Sequence, residues 1–378
     1  MVFLIAGFPL ASMADDYRPC LSKPQFRHFK TMLAGLMLNG KSEKNVMDIA
    51  SNALDGKSQS SLNRFLQGRK WSMEKVNGRR LDRYVRGRSG GVLILDDTLV
   101  QKTGIKMEGT GWLFDHSQQR NVWCHCYVST LYSHGEERVP MHLAPYIKEE
   151  SCPPLGRKFR TKNELAVDLV DKALAYIRPD AVVFDSWYGS QELLNHIDSK
   201  GQAFITEAKG NRLIEDDEGR VQARDYLACH EREFRSVDEP ETEYRWYLEK
   251  VSVIKGGLKV KFVFLKQRLD DEALVLMTNA LDMDVQAVVG YYKRRWDIEV
   301  FYRDCKQCLG MGQYQVRRID VGVTHLLLVF LAYTILKGIA RGRLFQHIFQ
   351  GADSIGAMCE SLKRFVVMNL AASFKKRA

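Results

Sequence analysis

Apolar positions recur at helical spacing through the first eighty or so residues and change to strand spacing after Gly90-Gly91. From Pro24 to Arg86 the pattern predicts helices throughout. Val46, Ile49, Ala50 and Ala53 follow the i, i+3, i+4, i+7 rule behind Ser42 as the capping residue, and Asp55-Gly56 breaks that helix. A second helix starts near Ser58 or Ser60, buries Leu62, Phe65 and Leu66, and leaves Asn63, Arg64 and Arg69 outward. Two short helices joined by a turn suit a helix-turn-helix, although any small helical bundle contains such turns.

Beyond Gly91, Val92 to Leu95 is a short apolar run that predicts a buried central strand ending in Asp96-Asp97-Thr98. Asn121 to Ser133 and Arg138 to Ile147 read as two more strands joined by the turn at Ser133 to Glu136, which implies a three-strand meander. Thr161 to Ile177 is a periodic helix, with Leu165, Ala166, Leu169, Val170, Ala173, Leu174 and Ile177 on one face. A strand from Ala181 to Phe184 ends in Asp185, a helix runs from Ser190 to Lys200, and Gln202 to Ala208 makes a fifth strand. From Gly210 to about Asp284 strand spacing returns, with Tyr244 to Ile254, Leu258 to Lys266 and Ala273 to Ala280 clearest and Gly256-Gly257 as a hairpin turn. A plain alternating fold would place one helix there, so the segment predicts a β-rich insertion. Helices follow over Val285 to Leu309, Val321 to Arg341 and Ser354 to Phe374.

Composition changes the picture in a few places. Apolar residues are 45% and charged residues 27% of 378, which is ordinary globular usage and not that of a disordered chain. Lys57 to Arg88 holds ten basic residues against Glu74 and Asp82, a local net of +8 that suggests a polyanion such as nucleic acid, with a solvated basic helix face as the plainer alternative. The segment Glu215 to Glu249 has the opposite bias, twelve acids against five arginines. Cys124-x-Cys126 and Cys305-x-x-Cys308 are lone pairs without a second half, so reduced thiols in a cytoplasmic protein are expected and zinc is not. Val2 to Ala14 is apolar but lacks the basic start of a signal peptide, and Met13 is an alternative initiator. Val321 to Ala340 is long enough to span a bilayer, yet it carries His325 and Lys337, so a buried helix and no membrane association are expected.

Carboxylates at the ends of adjacent buried strands are costly unless a metal or a partner offsets them. Asp97 and Asp185 stand at such ends, and Glu299 on a later helix would complete an oxygen cage for a hard cation. Strand-end aspartates also cap following turns, so either one alone decides nothing. The helix around Glu299 adds Tyr292, Arg295 and Lys306, all within about 60° of one another on a regular helix. Arg295 and Glu299 alone would suit a surface ion pair, but Lys306 lies seven residues beyond and outside its reach. With Glu299 on metal, Tyr292, Arg295 and Lys306 are placed to grip phosphates.

The spacing Tyr292-x2-Arg295-x3-Glu299-x6-Lys306 resembles the Y-x2-R-x3-E-x6-K signature of DDE insertion-sequence transposases of the insertion-sequence-four superfamily. Asp97-Thr98 after an apolar strand, Asp185 ahead of Tyr188-Gly189, and a β-rich insertion before the glutamate helix are similar too, so the resemblance covers about residues 40 to 340. It implies a triad of Asp97, Asp185 and Glu299, since the family's aspartate directly precedes the threonine, with Asp96 as the other candidate for the first position. Ser186-Trp187 departs from the small residues the family commonly has after its second aspartate.

The fold expected is α/β: an RNase H-like mixed sheet of strand order 3-2-1-4-5 with the β-rich insertion. The division is a leader over 1–19, a helical DNA-binding region over 20–89, a catalytic domain over 90–209 and 285–345 split by an insertion over 210–284, and a helical tail over 346–378. The implied activity is DNA cleavage and strand transfer with two Mg²⁺ or Mn²⁺ ions roughly 4 Å apart, and a hairpin intermediate is open. Trp187, Trp246 or Trp296 would then stack on a flipped base. Expected partners are transposon-end and target DNA, bound in part by Arg64, Arg69 and Lys70, and a second subunit in the synaptic complex of a nucleoid-associated protein. A binding-only regulator and another RNase H-like nuclease are the competing readings.

Overall fold

The computed structural model describes residues 13–53, 55–68, 70–216, 219–236, 244–342 and 346–375. Arg69 and most of the apolar leader lie outside these residues. The N-terminal helices are α1 (Lys23–Leu38), α2 (Val46–Ser51), α3 (Gln59–Leu66) and α4 (Met73–Tyr84). The expected cap of the second helix is corrected: Asn45, not Ser42, accepts the backbone N–H of Asp48, because the helix starts three residues later. Ser58 caps α3 as expected, and Leu62, Phe65 and Leu66 are buried.

Among the described residues, ten strands form the central mixed sheet, one of them the short edge piece Arg235–Ser236. Its middle is β1 (Val92–Gln101), β2 (Gly111–Asp115), β3 (Arg120–His134), β4 (Glu137–Tyr146), β5 (Ala181–Phe184) and β6 (Phe204–Glu207). β3 pairs antiparallel with β1, β2 and β4, while β5 lies parallel between β1 and β6. The chain then adds β7 (Trp246–Val253), β8 (Lys259–Lys266) and β9 (Leu274–Thr278), which pair antiparallel in sequence. β9 pairs with β6, so these strands extend the same sheet. Gly256 and Gly257 both take positive φ in the β7–β8 turn, a conformation glycine adopts without a Cβ clash.

Successive side chains of a strand point to opposite faces, and β1 shows the consequence. Val92 and Ile94 enter one core and Leu93 and Leu95 the other. The Leu93 face is covered by α5 (Lys162–Leu174) and α6 (Gln191–Ser199). The Ile94 face is covered by α7 (Val285–Lys293), α8 (Trp296–Cys308), α9 (Ile319–Arg341) and α10 (Ile355–Lys375), together with the N-terminal helices. α9 is long and apolar enough to cross a membrane, and 83% of its most apolar stretch is buried inside the protein.

The helical N-terminal region shares this core. Arg80 of α4 donates to Thr334 of α9 at 3.0 Å, and Gln313 accepts the backbone N–H of Lys44 at 2.8 Å. This lowers the basic surface below what the residue count suggests. Arg80 is fully buried, Arg83 pairs with Asp16, Arg86 with Asp82 and Arg88 with Glu137. Arg64 and Lys70 remain exposed.

The helix expected over Val285 to Leu309 is two helices, α7 and α8, parted at Arg294-Arg295. Both residues keep right-handed backbone, and the join tightens to i→i−3 hydrogen bonds from Arg294, Arg295, Asp297 and Ile298. The α-helical hydrogen bonding is interrupted there, so Tyr292 and Glu299 are carried by different helices.

Candidate active site

Asp96 and Asp97 lie in the middle of β1, which runs on past them with Thr98 and Val100 buried. Contrary to expectation, the strand therefore does not end at the two acids, and alternation sends their carboxylates to opposite faces. Asp97 faces α5. Lys162 Nζ donates to its Oδ2 at 2.8 Å, Tyr188 Oη to its Oδ1 at 2.8 Å, and Cys126 Sγ to Oδ2 at 3.3 Å. Asp96 faces α8, where Arg295 Nη1 stands 3.5 Å from its Oδ2. Behind Asp96, Tyr302 Oη donates to the Asp96 carbonyl at 3.0 Å and shares a 2.8 Å hydrogen bond with Ser129 Oγ.

Asp185 follows β5 and caps a short turn, accepting the backbone N–H groups of Trp187 and Tyr188 at 3.0 and 3.4 Å. The capping role that sequence alone leaves open is therefore real. Its carboxyl also opens into the same cleft as Asp96 and Glu299. Burial raises the pKa of Asp185, while those two N–H groups and Arg295 pull it back. Glu299, on the first turns of α8, accepts from Arg295 Nη2 at 2.8 Å. One guanidinium thus bridges Asp96 and Glu299.

The cleft holds about 890 Å³ and includes Asp96, Asp97, Asp185, Glu299, Lys162 and Lys306 in its lining. Burial, reinforced by the neighbouring carboxylates of Asp97 and Asp185, pushes the Asp96 carboxyl up to about 8. An oxygen-only set of carboxylates is the donor chemistry that suits a hard divalent cation. Among the described residues, no three acidic, histidine or cysteine side chains converge closely enough to form a ready-made cage. With Arg295 drawn onto Asp96 and Glu299, part of the negative charge is already neutralised.

Of the predicted phosphate-gripping residues, Lys306 lines the cleft. Burial of its ammonium end lowers its pKa, and Asp115 opposes that shift. Tyr292 instead donates to Glu207 Oε2 at 3.2 Å and faces a neighbouring pocket of about 160 Å³ shared with Tyr244, Arg295 and Trp296. Trp187 and Trp296 are exposed, whereas Trp246 packs against the core on the α5 face. His125 is buried and bonded to Tyr314 Oη and the Glu108 carbonyl, a structural role.

The structure adds cleft residues that sequence reasoning missed. Arg303 sits one turn after Glu299, and its i+4 spacing is a signal that was available. His116 and Ser117 arrive on the turn after β2, a strand absent from the predicted elements. Lys162 comes from the first residue of α5, 65 positions from its partner Asp97, and no local pattern marks it.

A mixed sheet with helices on both faces and a carboxylate-lined cleft beside it fits the catalytic domain of DDE enzymes, which is RNase H-like. A family model described as DDE superfamily endonuclease matches residues 16–232, and one described as archaeal transposase ISC1217 matches residues 138–337. Each covers more than half of the chain, and the protein belongs to the DDE superfamily of endonucleases. No curated protein matches it. Superfamily membership carries a DNA substrate and divalent-metal chemistry.

Proposed function

We propose that this protein is a transposase of the insertion-sequence-four superfamily that binds the ends of its element, cleaves them and joins them to target DNA. The supporting observation is the set of Asp96, Asp185 and Glu299 in one cleft, with Arg295 joining the first and last. The first acid of the triad is Asp96. The Asp97 carboxylate expected from the family pattern accepts three donors on the α5 face, and the side of the strand toward Glu299 belongs to its neighbour.

Asp96, Asp185 and Glu299 would hold two Mg²⁺ or Mn²⁺ ions, which when bound activate a water or 3′-hydroxyl and stabilise the leaving oxygen. The chain's own groups do the rest. Arg295 exchanges its carboxylates for a DNA phosphate, and Lys306 and Arg303 hold the backbone along α8. Tyr292 steadies Glu207 beside the small pocket, where Trp296 or, across the cleft, Trp187 would stack on a flipped base if cleavage runs through a hairpin. Arg64 and Lys70, with Arg69, contribute to end binding, and two subunits bring two ends together.

Incubating the protein with its element's end sequences and Mg²⁺ tests this reading. Wild type should give strand transfer, and Glu299→Gln should bind DNA with unchanged affinity and release no cut ends. Undiminished cutting by Glu299→Gln would remove the assignment, cutting of branched DNA alone would point to another nuclease, and binding without any cutting to a regulator.

A further inference from the structure

The hairpin of β2 and β3 carries a row of aromatic rings that the cleavage reading leaves without a role. Trp112 and Phe114 are 59% and 46% exposed, unusual for large rings on a strand of the central sheet. They alternate with Leu113 and so lie on one face of β2. The registers Trp112↔Trp123 and Asp96↔Ser129, carried along the unbroken pairing of β3 with β1, put this face on the side that carries Asp96.

The row is braced. Trp123 meets Trp112 edge-on at 5.7 Å and anchors its own indole N–H on the Gly104 carbonyl at 3.1 Å. His116 meets Phe114 edge-on at 5.0 Å. The turn beyond is fixed by Asp115, which accepts from the backbone and side chains of both Ser117 and Gln118. Phe114, His116 and Ser117 reach the cleft that holds Asp96, Asp185 and Glu299, and Arg303 and Lys306 stand on the same cleft.

Two geometric facts select the occupant. Residues two apart on a strand are about 6.8 Å apart along the backbone, which is twice the 3.4 Å or so between stacked bases. One planar base would fit between rings standing upright at that spacing. The cations of α8 supply the complement to a phosphate backbone running past such a base. Bases inside a duplex are stacked on both faces, so rings that sandwich a base engage unpaired ones.

We propose that the β2–β3 hairpin is a stacking platform for unpaired nucleobases, receiving a single-stranded DNA segment as it enters the cleft. The nature of the polymer rests on the endonuclease reading. The test therefore uses binding without divalent metal, so that a failure of the cleavage assay and a failure here stay separate.

The probes are labelled short oligodeoxynucleotides of adenine, of thymine and of abasic sugar, beside a blunt duplex, read by fluorescence anisotropy. Wild type should bind adenine strands most tightly and abasic strands least. Trp112→Ala/Phe114→Ala should weaken adenine-strand binding roughly tenfold per ring, leave the abasic strand and the duplex unchanged, and melt at the wild-type temperature. Phe114→Trp should restore the preference to a Phe114→Ala background. Equal losses on adenine and abasic strands, or no loss at all, overturn the platform. A dimer that falls to monomer in sedimentation while strand binding is kept assigns the rings instead to a second copy of this chain.

Discussion

The two faces of the sheet treat neighbouring aspartates in opposite ways. On the α5 face Asp97 is given a lysine at 2.8 Å, a tyrosine hydroxyl and a thiol, so its charge is accounted for within the protein. On the α8 face Asp96 accepts its neighbour's backbone N–H at 2.7 Å and has one guanidinium at 3.5 Å, shared with Glu299, and burial among other carboxylates pushes it up to about 8. A carboxylate held by three donors has its charge offset within the fold, whereas a buried one beside more acids is the kind whose charge a bound cation would offset. The contrast shows that residues adjacent in sequence take different partners when strand alternation turns them to opposite faces, even where both line one cleft.

The largest effect should come from substituting each aspartate in turn. Asp96→Asn should lower DNA cleavage about a thousandfold, several kcal/mol of lost charge stabilisation. Asp97→Asn should cost no more than roughly ten- to a hundredfold, the size expected of a supporting group. Equal losses would erase the distinction between the faces, and the reverse order would restore Asp97 to the triad. Next in size is Lys162→Met, which leaves Asp97 without its cation. Breaking a largely buried pair costs about 3 kcal/mol, seen as a lower Tm, and Lys162→Met/Asp97→Asn should recover most of it. Arg295→Met should lower Tm far less, because on its face the partners are acids that a metal can satisfy instead.

How far the sequence revealed these faces follows from the physics of each element. Period and punctuation marked the strands with strongly apolar runs, so Ala181–Phe184 is met residue for residue and α5 begins at the capping residue, Thr161. β2 escaped because Trp112, Leu113 and Phe114 are all apolar and its alternation has no polar half to display. The break at Arg294-Arg295 escaped because right-handed backbone continues through it with no glycine or proline. Glu299, Arg295 and Lys306 were legible as one helix face, since i+4 and i+7 spacing is local. The facing of Asp96 and Asp97 was not, since telling adjacent acids apart needs the orientation of β1, which tertiary packing decides. Lys162 was beyond reach for the same reason.

The α8 face also holds His125 and His325 buried and uncharged, and burial depresses both to about 4. An unfolded histidine near 6.5 takes up protons first as pH falls. The stability these residues contribute is therefore complete above about pH 6.5 and declines as pH drops toward 4. At pH 5 the loss should be about 2 kcal/mol for each histidine. Replacing either by a glutamine that folds should flatten the fall of Tm between pH 7 and 5, and an unchanged slope would mean that the ring takes its proton inside the fold.

The smallest effect should separate the two helix starts that deliver cations to the two aspartates. α5 begins with a complete capping box: Thr161 Oγ1 accepts the Glu164 N–H at 3.1 Å and Glu164 Oε2 accepts the Thr161 N–H at 2.7 Å. α8 begins at Arg295, which makes no side-chain cap and turns its guanidinium onto Asp96 and Glu299. One start is built for stability and the other gives up a cap so that a cation can face the acids. Thr161→Ala should accordingly lower stability by about 1 kcal/mol and leave cleavage nearly intact, because Lys162 still meets Asp97 once α5 is formed. Arg295→Ala should do the converse, with little change in Tm and weak cleavage. If Thr161→Ala instead lowers cleavage more than it lowers Tm, then Lys162 and Asp97 take part in the reaction, and the α5 face is functional as well.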